Sequence, residues 1–273
     1  MKPPSIGVAL AILLTAALPA QDLPPEILLA RVKQHGRATF EHIPDYACLE
    51  TIHRFEKPRN AASFRPIDTL HLEVASVGGK ELFARQGAAR FGDGDLHAFI
   101  LAGAISSGAF ASTPLNLFIR DVARISPLPQ EGIIAGTTLQ FHFEESAMTA
   151  GFFVQSGGSK GQAGLRGTFW VDSQTLDLAR IEEQAVDLPP MLLMRNLTTS
   201  IDYARTRIGS SDPLLPQSAE TVITDFYGVE RKNTIEFTGC REYMSESVIH
   251  FGPVVSTPPP APVPEPPPPV IRP

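Results

Sequence analysis

From residue 46 onward, the chain alternates hydrophobic and polar residues with a period of two, which is the pattern of a half-buried β-strand. Residues 67–77 show this clearly, because Leu70, Leu72 and Val74 fall on one face. Runs of this kind recur roughly ten times, separated by glycine, proline and aspartate turns. Short turns favour antiparallel neighbours, since parallel strands need a crossover connection at each step. We therefore predict one large, curved antiparallel sheet.

Several of the predicted strands are joined by recognisable turns. Gly78-Gly79 predicts a tight hairpin, and Asp172-Ser173-Gln174 predicts another. Residues 152–155 are predicted to pair with the strand 138–144, and a loop over residues 157–161 is predicted to follow. The predicted strands cover residues 46–56, 67–77, 80–91, 138–144, 152–155, the two arms of 167–182, 198–208, 217–226, 229–243 and 247–251.

Two helical segments accompany the strands. Residues 22–26 place an acidic residue before two prolines, which is typical of a helix start, and we expect this helix to end at residues 43–45. A short helix is predicted at about residues 114–123, and the glycine-, alanine- and serine-rich residues 92–111 are predicted to form a loop that acts as a lid. Because a sheet must bury its apolar face, the helices should lie against it. The predicted fold is mainly β, an unclosed barrel with an N-terminal helix and a short covering helix.

The two ends of the chain differ from the middle. Residues 1–20 are predicted to be a signal peptide, because Lys2 precedes the apolar run 6–14 and small residues follow it. The run is too short to span a membrane, so we expect the mature chain to be periplasmic or secreted, in a bacterium. Residues 21–252 are predicted to be a single β domain. Residues 253–273 are proline-rich, and since proline lacks the backbone donor of helices and ladders, we predict a polyproline II tail.

Composition argues against some classes of partner. The chain has 23 basic and 29 acidic residues and a formal net charge of −6. A mildly acidic chain without a basic patch is a poor nucleic-acid binder, and it is not attracted electrostatically to anionic lipid. No stretch after the signal peptide is long and apolar enough for a transmembrane helix. We therefore expect neither nucleic acid as a partner nor a transmembrane segment in the mature chain.

Cys48 and Cys240 are the two cysteines of the chain. In an oxidising compartment such a pair most often forms a disulfide, which would join the first predicted strand to the last long one. Two unrelated buried thiols are the alternative. Neither cysteine lies in a C-x-x-C motif or has histidine at ligand spacing, so we predict no zinc site.

Motifs for catalysis are absent from the sequence. None of the seven histidines lies in H-E-x-x-H, and no G-x-S-x-G elbow follows a strand. Gly92-Asp93-Gly94-Asp95 lacks the remaining acidic ligands of a calcium loop, which favours a polar turn. In Glu144-Glu145 and Glu182-Glu183 the side chains point to opposite faces of a strand, so the spacing does not make them an acid–base pair. We predict no catalytic residue, no metal site and no cofactor.

Bulky aromatic residues recur at alternating strand positions. They are explained either by a well-packed core or by a curved sheet whose lining leaves room for an acyl chain or another apolar ligand. The candidate ligand-lining residues are Phe141, Phe143, Phe153, Phe169, Trp170 and Tyr203.

Some segments also resemble known families. Phe169-Trp170-Val171-Asp172-x-x-Thr175-x-x-Leu178-x-Arg180-Ile181 resembles the strand–turn–strand of LolA/LolB-type envelope lipoprotein carriers and RseB-like sensor domains. That resemblance implies a half-barrel whose helices cover an apolar cavity. Three further segments resemble a family of secreted proteins of soil acidobacteria. They are Ile43-Pro44-Asp45-Tyr46-x-Cys48-x-Glu50-Thr51-Ile52, Gly103-Ala104-Ile105-Ser106-Ser107-Gly108-x-Phe110 and Glu236-Phe237-x-x-Cys240-Arg241-x-Tyr243.

These observations favour an exported, non-enzymatic envelope protein that binds an apolar or lipidic ligand between the sheet and the helices. Two alternatives stay open. One is a protein-binding scaffold or sensor module that meets an envelope protein through the sheet edge and the proline-rich tail. The other is a hydrolase whose site is assembled from residues distant in the sequence.

Overall fold

The computed structural model describes residues 24–88, 91–92, 99, 112–128, 138–156 and 158–243. The predicted signal peptide, the predicted strand 247–251, the proline-rich tail and nearly all of the predicted lid lie outside the described residues.

Within the described residues, eleven strands form one antiparallel sheet that does not close into a barrel. The order across the sheet is β3-β2-β1-β11-β10-β9-β8-β7-β5-β4, and β6 pairs with β7. This confirms the predicted fold class. The strands are β1 Tyr46–Lys57, β2 Arg65–Val77, β3 Lys80–Arg85, β4 Arg124–Pro127, β5 Thr138–Glu145, β6 Phe152–Ser156, β7 Ser159–Asp172, β8 Leu178–Val186, β9 Met194–Arg205, β10 Leu214–Asp225 and β11 Glu230–Glu242.

Both predicted hairpin turns are confirmed. Gly78 and Gly79 join β2 to β3 with φ of 55° and 73°, and residues without a side chain adopt this left-handed backbone most easily. At the β7–β8 turn, Asp172 Oδ1 accepts hydrogen bonds from the backbone N–H groups of Gln174 and Thr175, at 2.9 and 2.8 Å. An aspartate that bonds the backbone ahead of it is a common turn former.

The predicted partner of β6 was wrong. β6 pairs with the first part of β7, Ser156 facing Ser159, whereas β5 pairs with the later residues 165–172. Of the predicted loop over residues 157–161, residues 159–161 belong to β7 instead, and residue 157 lies outside the described residues. The short helix α3, Ala147–Ala150, separates β5 from β6 and ends at Gly151 in a left-handed conformation. This helix redirects the chain, so β6 forms a hairpin with the strand that follows it.

Helix α1, Pro25–Glu41, covers one face of the sheet where the sequence predicts a helix. Its buried positions follow a spacing of four, which is one face of a helix. Gly36 lies in this stripe because the Phe118 ring occupies the space of a side chain there: a Cβ on Gly36 would lie 2.4 Å from the ring. The buried residues of the stripe are Leu28, Val32, Gly36 and Phe40.

A second helical stretch covers the same face. It consists of the helical turn α2, Ser112–Pro114, and a π-helix, Leu115–Ile119; we call Ser112–Ile119 the covering segment. The predicted helix 114–123 thus exists, but it begins earlier and ends earlier. Asp121 adopts a left-handed φ of 52°, which an α-helix does not tolerate in its interior.

The apolar interior is divided into two clusters by a row of buried polar residues. On β8, Glu183 lies between Ile181 of the larger cluster and Ala185 of the smaller one. Because the members of the row pair across neighbouring strands, the row crosses the sheet from β8 to β1 and ends at Arg54. The Arg54 Nε and Nη2 atoms donate hydrogen bonds to the Asp68 carboxylate at 2.6 and 2.5 Å. The buried members of the row are Glu183, Thr199, Thr221, Asn233 and Arg54.

The predicted disulfide between Cys48 and Cys240 is present. It links β1 to β11, which are neighbours in the sheet although 192 residues separate the two cysteines. The strand register shifts at this point, and Gly239 takes a left-handed φ of 57°. The disulfide therefore lies at a β-bulge, a place where an extra residue interrupts the ladder.

Candidate functional site

A cleft of about 340 Å³ opens between the end of α1, the covering segment and the helix-covered face of the sheet. Its walls come from several separate parts of the chain, residues 40–46, 76–79, 114–120, 203 and 214–216, so none of them forms the cleft alone. Glu41, Asp45 and Arg120 also line it. Its main apolar residues are Phe40, Ile43, Leu115, Ile119, Leu214 and Pro216.

Two tyrosines from the sheet line this cleft, Tyr46 on β1 and Tyr203 on β9. Both are buried. Among the described residues, the Tyr203 hydroxyl has no hydrogen-bond partner. Burial raises the pKa of Tyr203 well above its usual value, and the Glu183 carboxylate adds to the effect. The hydroxyl therefore stays protonated and keeps its ability to donate a hydrogen bond.

Two buried carboxylates fasten the covering segment to the sheet. Thr113 Oγ1 donates to Glu183 Oε2 at 3.0 Å, and Asn116 Nδ2 donates to Glu145 Oε2 at 2.9 Å. Arg120 Nη1 in turn donates to Asn116 Oδ1 at 2.9 Å. Because the same segment supplies Leu115 and Ile119 to the cleft, these bonds fix the position of one cleft wall.

The interior shifts the pKa values of these acids upward. Burial raises the pKa of Glu183 to about 7; the bond from Thr113 opposes this shift and the nearby Glu145 carboxylate adds to it. Burial likewise raises the pKa of Glu145 to about 7, against the effects of Asn116 and Arg120. On β1, burial raises the pKa of Glu50 to about 8, and the Glu81 charge contributes. Near neutral pH, ionising these groups opposes folding.

Of the six predicted ligand-lining residues, the cleft contains Tyr203. Phe141 and Phe169 stack on each other with ring centroids 5.2 Å apart, and Phe118 packs edge-on to Phe169 at 5.6 Å. Phe143 joins this packed core. The covering segment thus fills the space in front of these rings with Phe118.

The remaining two candidates lie outside the core. Trp170 is half-buried on the opposite face of β7 from Phe169, as strand alternation requires. Phe153 on β6 is 56% exposed, and the Lys160 ammonium lies 4.9 Å from its ring centre. Neither lines the cleft.

The burial of Glu145 and Glu183 could have been predicted from the alternation of their strands, although neither residue belongs to a known catalytic motif. Glu145 continues the inward series Leu139, Phe141 and Phe143 along β5. A carboxylate in phase with three core residues is expected to be buried. Glu183 follows the same rule on β8, two residues after Ile181.

One constellation looks like a catalytic triad but is not arranged as one. His35 Nε2 lies 2.8 Å from Asp177 Oδ1 and 3.4 Å from Thr39 Oγ1. A relay needs the acid and the hydroxyl on different ring nitrogens, whereas here both meet Nε2. Arg205 also pairs with Asp177, at 2.7 Å. The cluster ties α1 to the β7–β8 turn.

The described residues contain no group of three or more histidine, cysteine or acidic side chains placed to hold a metal ion. In the same part of the chain, no helix has the length and apolarity needed to cross a membrane.

Known proteins offer distant likenesses. No protein-family model matches the chain, and no curated protein does. Among solved structures, the chain is similar to a LolA superfamily protein from Nitrosomonas europaea, with 10% identity, a TM-score of 0.40 and coverage of 84% of this chain and 96% of that one. It is also similar to a DUF1329 family protein from Desulfovibrio piger, with 11% identity, a TM-score of 0.43 and coverage of 82% and 97%. At this distance neither likeness bears on function.

Proposed function

We propose that this protein is exported and binds an apolar or lipidic ligand in the cleft between α1, the covering segment and the sheet. The cleft itself carries the proposal. Its walls are mainly apolar, it is partly open to solvent, and its volume of about 340 Å³ lies within the range of small-molecule sites. The predicted signal peptide agrees with a role in the cell envelope.

The size of the cleft limits the kind of ligand. A volume near the lower end of that range suits one acyl chain or a compact apolar molecule rather than a protein segment. Each methylene moved from water into the cleft contributes about 0.8 kcal/mol, or roughly a fourfold gain in affinity.

Titration with a fluorescent fatty acid tests this proposal. We expect saturable one-to-one binding to the purified mature protein and displacement by unlabelled fatty acids, with affinity rising by roughly fourfold per methylene until the cleft is full. Leu115→Trp places a larger ring in the cleft and should weaken binding at least tenfold. Native mass spectrometry of the protein as purified adds a check for co-purifying lipid.

Ile27→Trp is the matched control, because Ile27 is exposed on α1 outside the cleft. This variant should bind the probe as the unaltered protein does. Absence of saturable binding would refute the proposal. Equal binding by Leu115→Trp and the unaltered protein would show that the probe binds elsewhere.

A further inference from the structure

An exposed apolar tip lies at one end of the sheet. It is formed by Met191 and Leu193, in the turn before β9, and by Phe226 and Tyr227, in the β10–β11 turn. These side chains are 60%, 52%, 61% and 66% exposed. Large apolar side chains this exposed in two adjacent turns are unusual for a soluble surface and mark an interaction site. We propose that this tip inserts into the interfacial layer of a phospholipid bilayer.

The two turns form one surface because they are bonded to each other. The Phe226 N–H donates to the Leu193 carbonyl oxygen at 2.8 Å, and Arg195 Nη2 donates to the Phe226 carbonyl oxygen at 3.2 Å. The rings of Phe226 and Tyr227 lie 6.3 Å apart, edge to face. These bonds hold the backbones of the two turns together.

Leu193 holds its exposed position in a left-handed conformation, with φ of 49°. This conformation is unfavourable for a leucine, and such residues are concentrated at functional sites. The turn accordingly presents an aliphatic side chain to the outside with its backbone in a strained conformation.

The backbone of the tip is prepared for a low-dielectric surrounding. The N–H groups of Leu192 and Leu193 donate to the carbonyl oxygens of Pro189 and Pro190, and these two prolines have no N–H. In the other turn, Asp225 accepts through its side chain from the N–H groups of Tyr227 and Val229, and through its carbonyl oxygen from Gly228. Irregular loops are excluded from lipid because their backbone groups lack hydrogen-bond partners there. The backbone donors named above have their partners within the tip, so this penalty does not apply to them.

Two arginines lie beside the tip. Arg195 lies 5.9 Å from the centre of the Phe226 ring, and the Arg59 side chain lies next to Gly228. Guanidinium groups bind phosphate well, and aromatic side chains prefer the membrane interface. The chain as a whole carries a net charge of −6, so apolar insertion and local phosphate contacts drive the binding rather than long-range attraction.

The tip is independent of the cleft. Tyr203 in the cleft and Met194 beside the tip lie near opposite ends of β9, which places the two sites roughly 30 Å apart along the strand. A membrane-bound tip therefore leaves the cleft open to the aqueous side, and the two sites can be tested separately.

Flotation with vesicles of pure phosphatidylcholine tests the inference on the full mature protein. We expect the protein to float with the vesicles, with similar binding at 50 mM and 500 mM salt, values chosen to span roughly threefold in Debye length. The double variant Phe226→Ser, Tyr227→Ser should bind at least tenfold more weakly. Its far-UV circular dichroism and its fatty-acid binding should match those of the unaltered protein.

Met148→Ser is the matched control, since Met148 is 91% exposed but lies on α3, away from the tip. It should float as the unaltered protein does. Failure of the unaltered protein to float would overturn the inference. So would equal flotation of the double variant, or a finding by light scattering that the tip makes a dimer and the protein leaves vesicles unbound.

Discussion

Replacing Glu183 by glutamine should stabilise the protein at pH 8 and change its stability much less at pH 5. Glu183 is buried, and its pKa is raised from 4.5 to about 7 in the folded protein. A carboxyl group whose pKa rises on folding favours the folded state while it is protonated. Its contribution is complete below about pH 4.5 and is lost as the pH rises through the folded-state value.

The size of the effect follows from the two pKa values. The difference between 4.5 and about 7 corresponds to roughly 3 kcal/mol, at about 1.4 kcal/mol for each pKa unit. Most of this, roughly 2 kcal/mol, falls between pH 5 and pH 8. Glutamine has no charge to bury, and its carbonyl oxygen can still accept the hydrogen bond from Thr113. The variant should therefore gain about 2 kcal/mol on the unaltered protein over this interval.

The assay is urea unfolding at pH 5 and pH 8, followed by circular dichroism with the disulfide intact. Glu182→Gln provides the control, because Glu182 is the adjacent residue on the exposed face and pairs with Arg180 at the surface. Its substitution should change stability by at most about 1 kcal/mol, equally at both pH values. If Glu183→Gln gains nothing at pH 8 relative to pH 5, the Glu183 carboxylate ionises in the folded protein without penalty and the reasoning is wrong.

Two further predictions concern the sheet. Replacing Cys48 and Cys240 together by serine should lower the unfolding free energy by up to about 5 kcal/mol, since the disulfide closes a loop of 192 residues; an unchanged urea midpoint would contradict this. Gly167→Ala should destabilise the protein by roughly 1–3 kcal/mol or more, because the new Cβ would lie 2.1 Å from the Glu182 carbonyl oxygen. In the same thermal-unfolding assay Gly158→Ala is the control, with no atom within 4 Å of its Cβ, and equal melting temperatures for the two variants would refute the packing argument.

Local patterns predicted most of the strands, although β4 was missed and the predicted strand 80–91 ends at Arg85. β5 was predicted at residues 138–144 and is observed at Thr138–Glu145, because Leu139, Phe141 and Phe143 alternate with polar residues. The pattern failed to identify the partner of β6, since alternation shows which face of a strand is buried and not which strand lies beside it. The helix α3 between β5 and β6 is only four residues long, too short to leave a clear periodic signal.

The cleft was harder to predict than the strands. Aromatic residues at alternating positions were candidates for its lining, but Phe141, Phe143 and Phe169 pack against Phe118 from the covering segment. Tyr203 obeys the same alternation and lies in the cleft, at the end of the sheet where the covering segment places smaller side chains. A sequence pattern cannot separate these two cases, because it does not say what packs on the face.

The sequence by itself determined the mainly β character of this protein, the inward direction of Glu145 and Glu183, and the positions of its hairpin turns. These are local properties: the period-two alternation and the turn residues act within a few positions of the chain. Only the tertiary structure decided that Gly36 receives the Phe118 ring and that segments far apart in the chain leave a cleft between them. Each of these depends on contacts between residues far apart in the chain, whose packing is set by shape and volume across the whole interior.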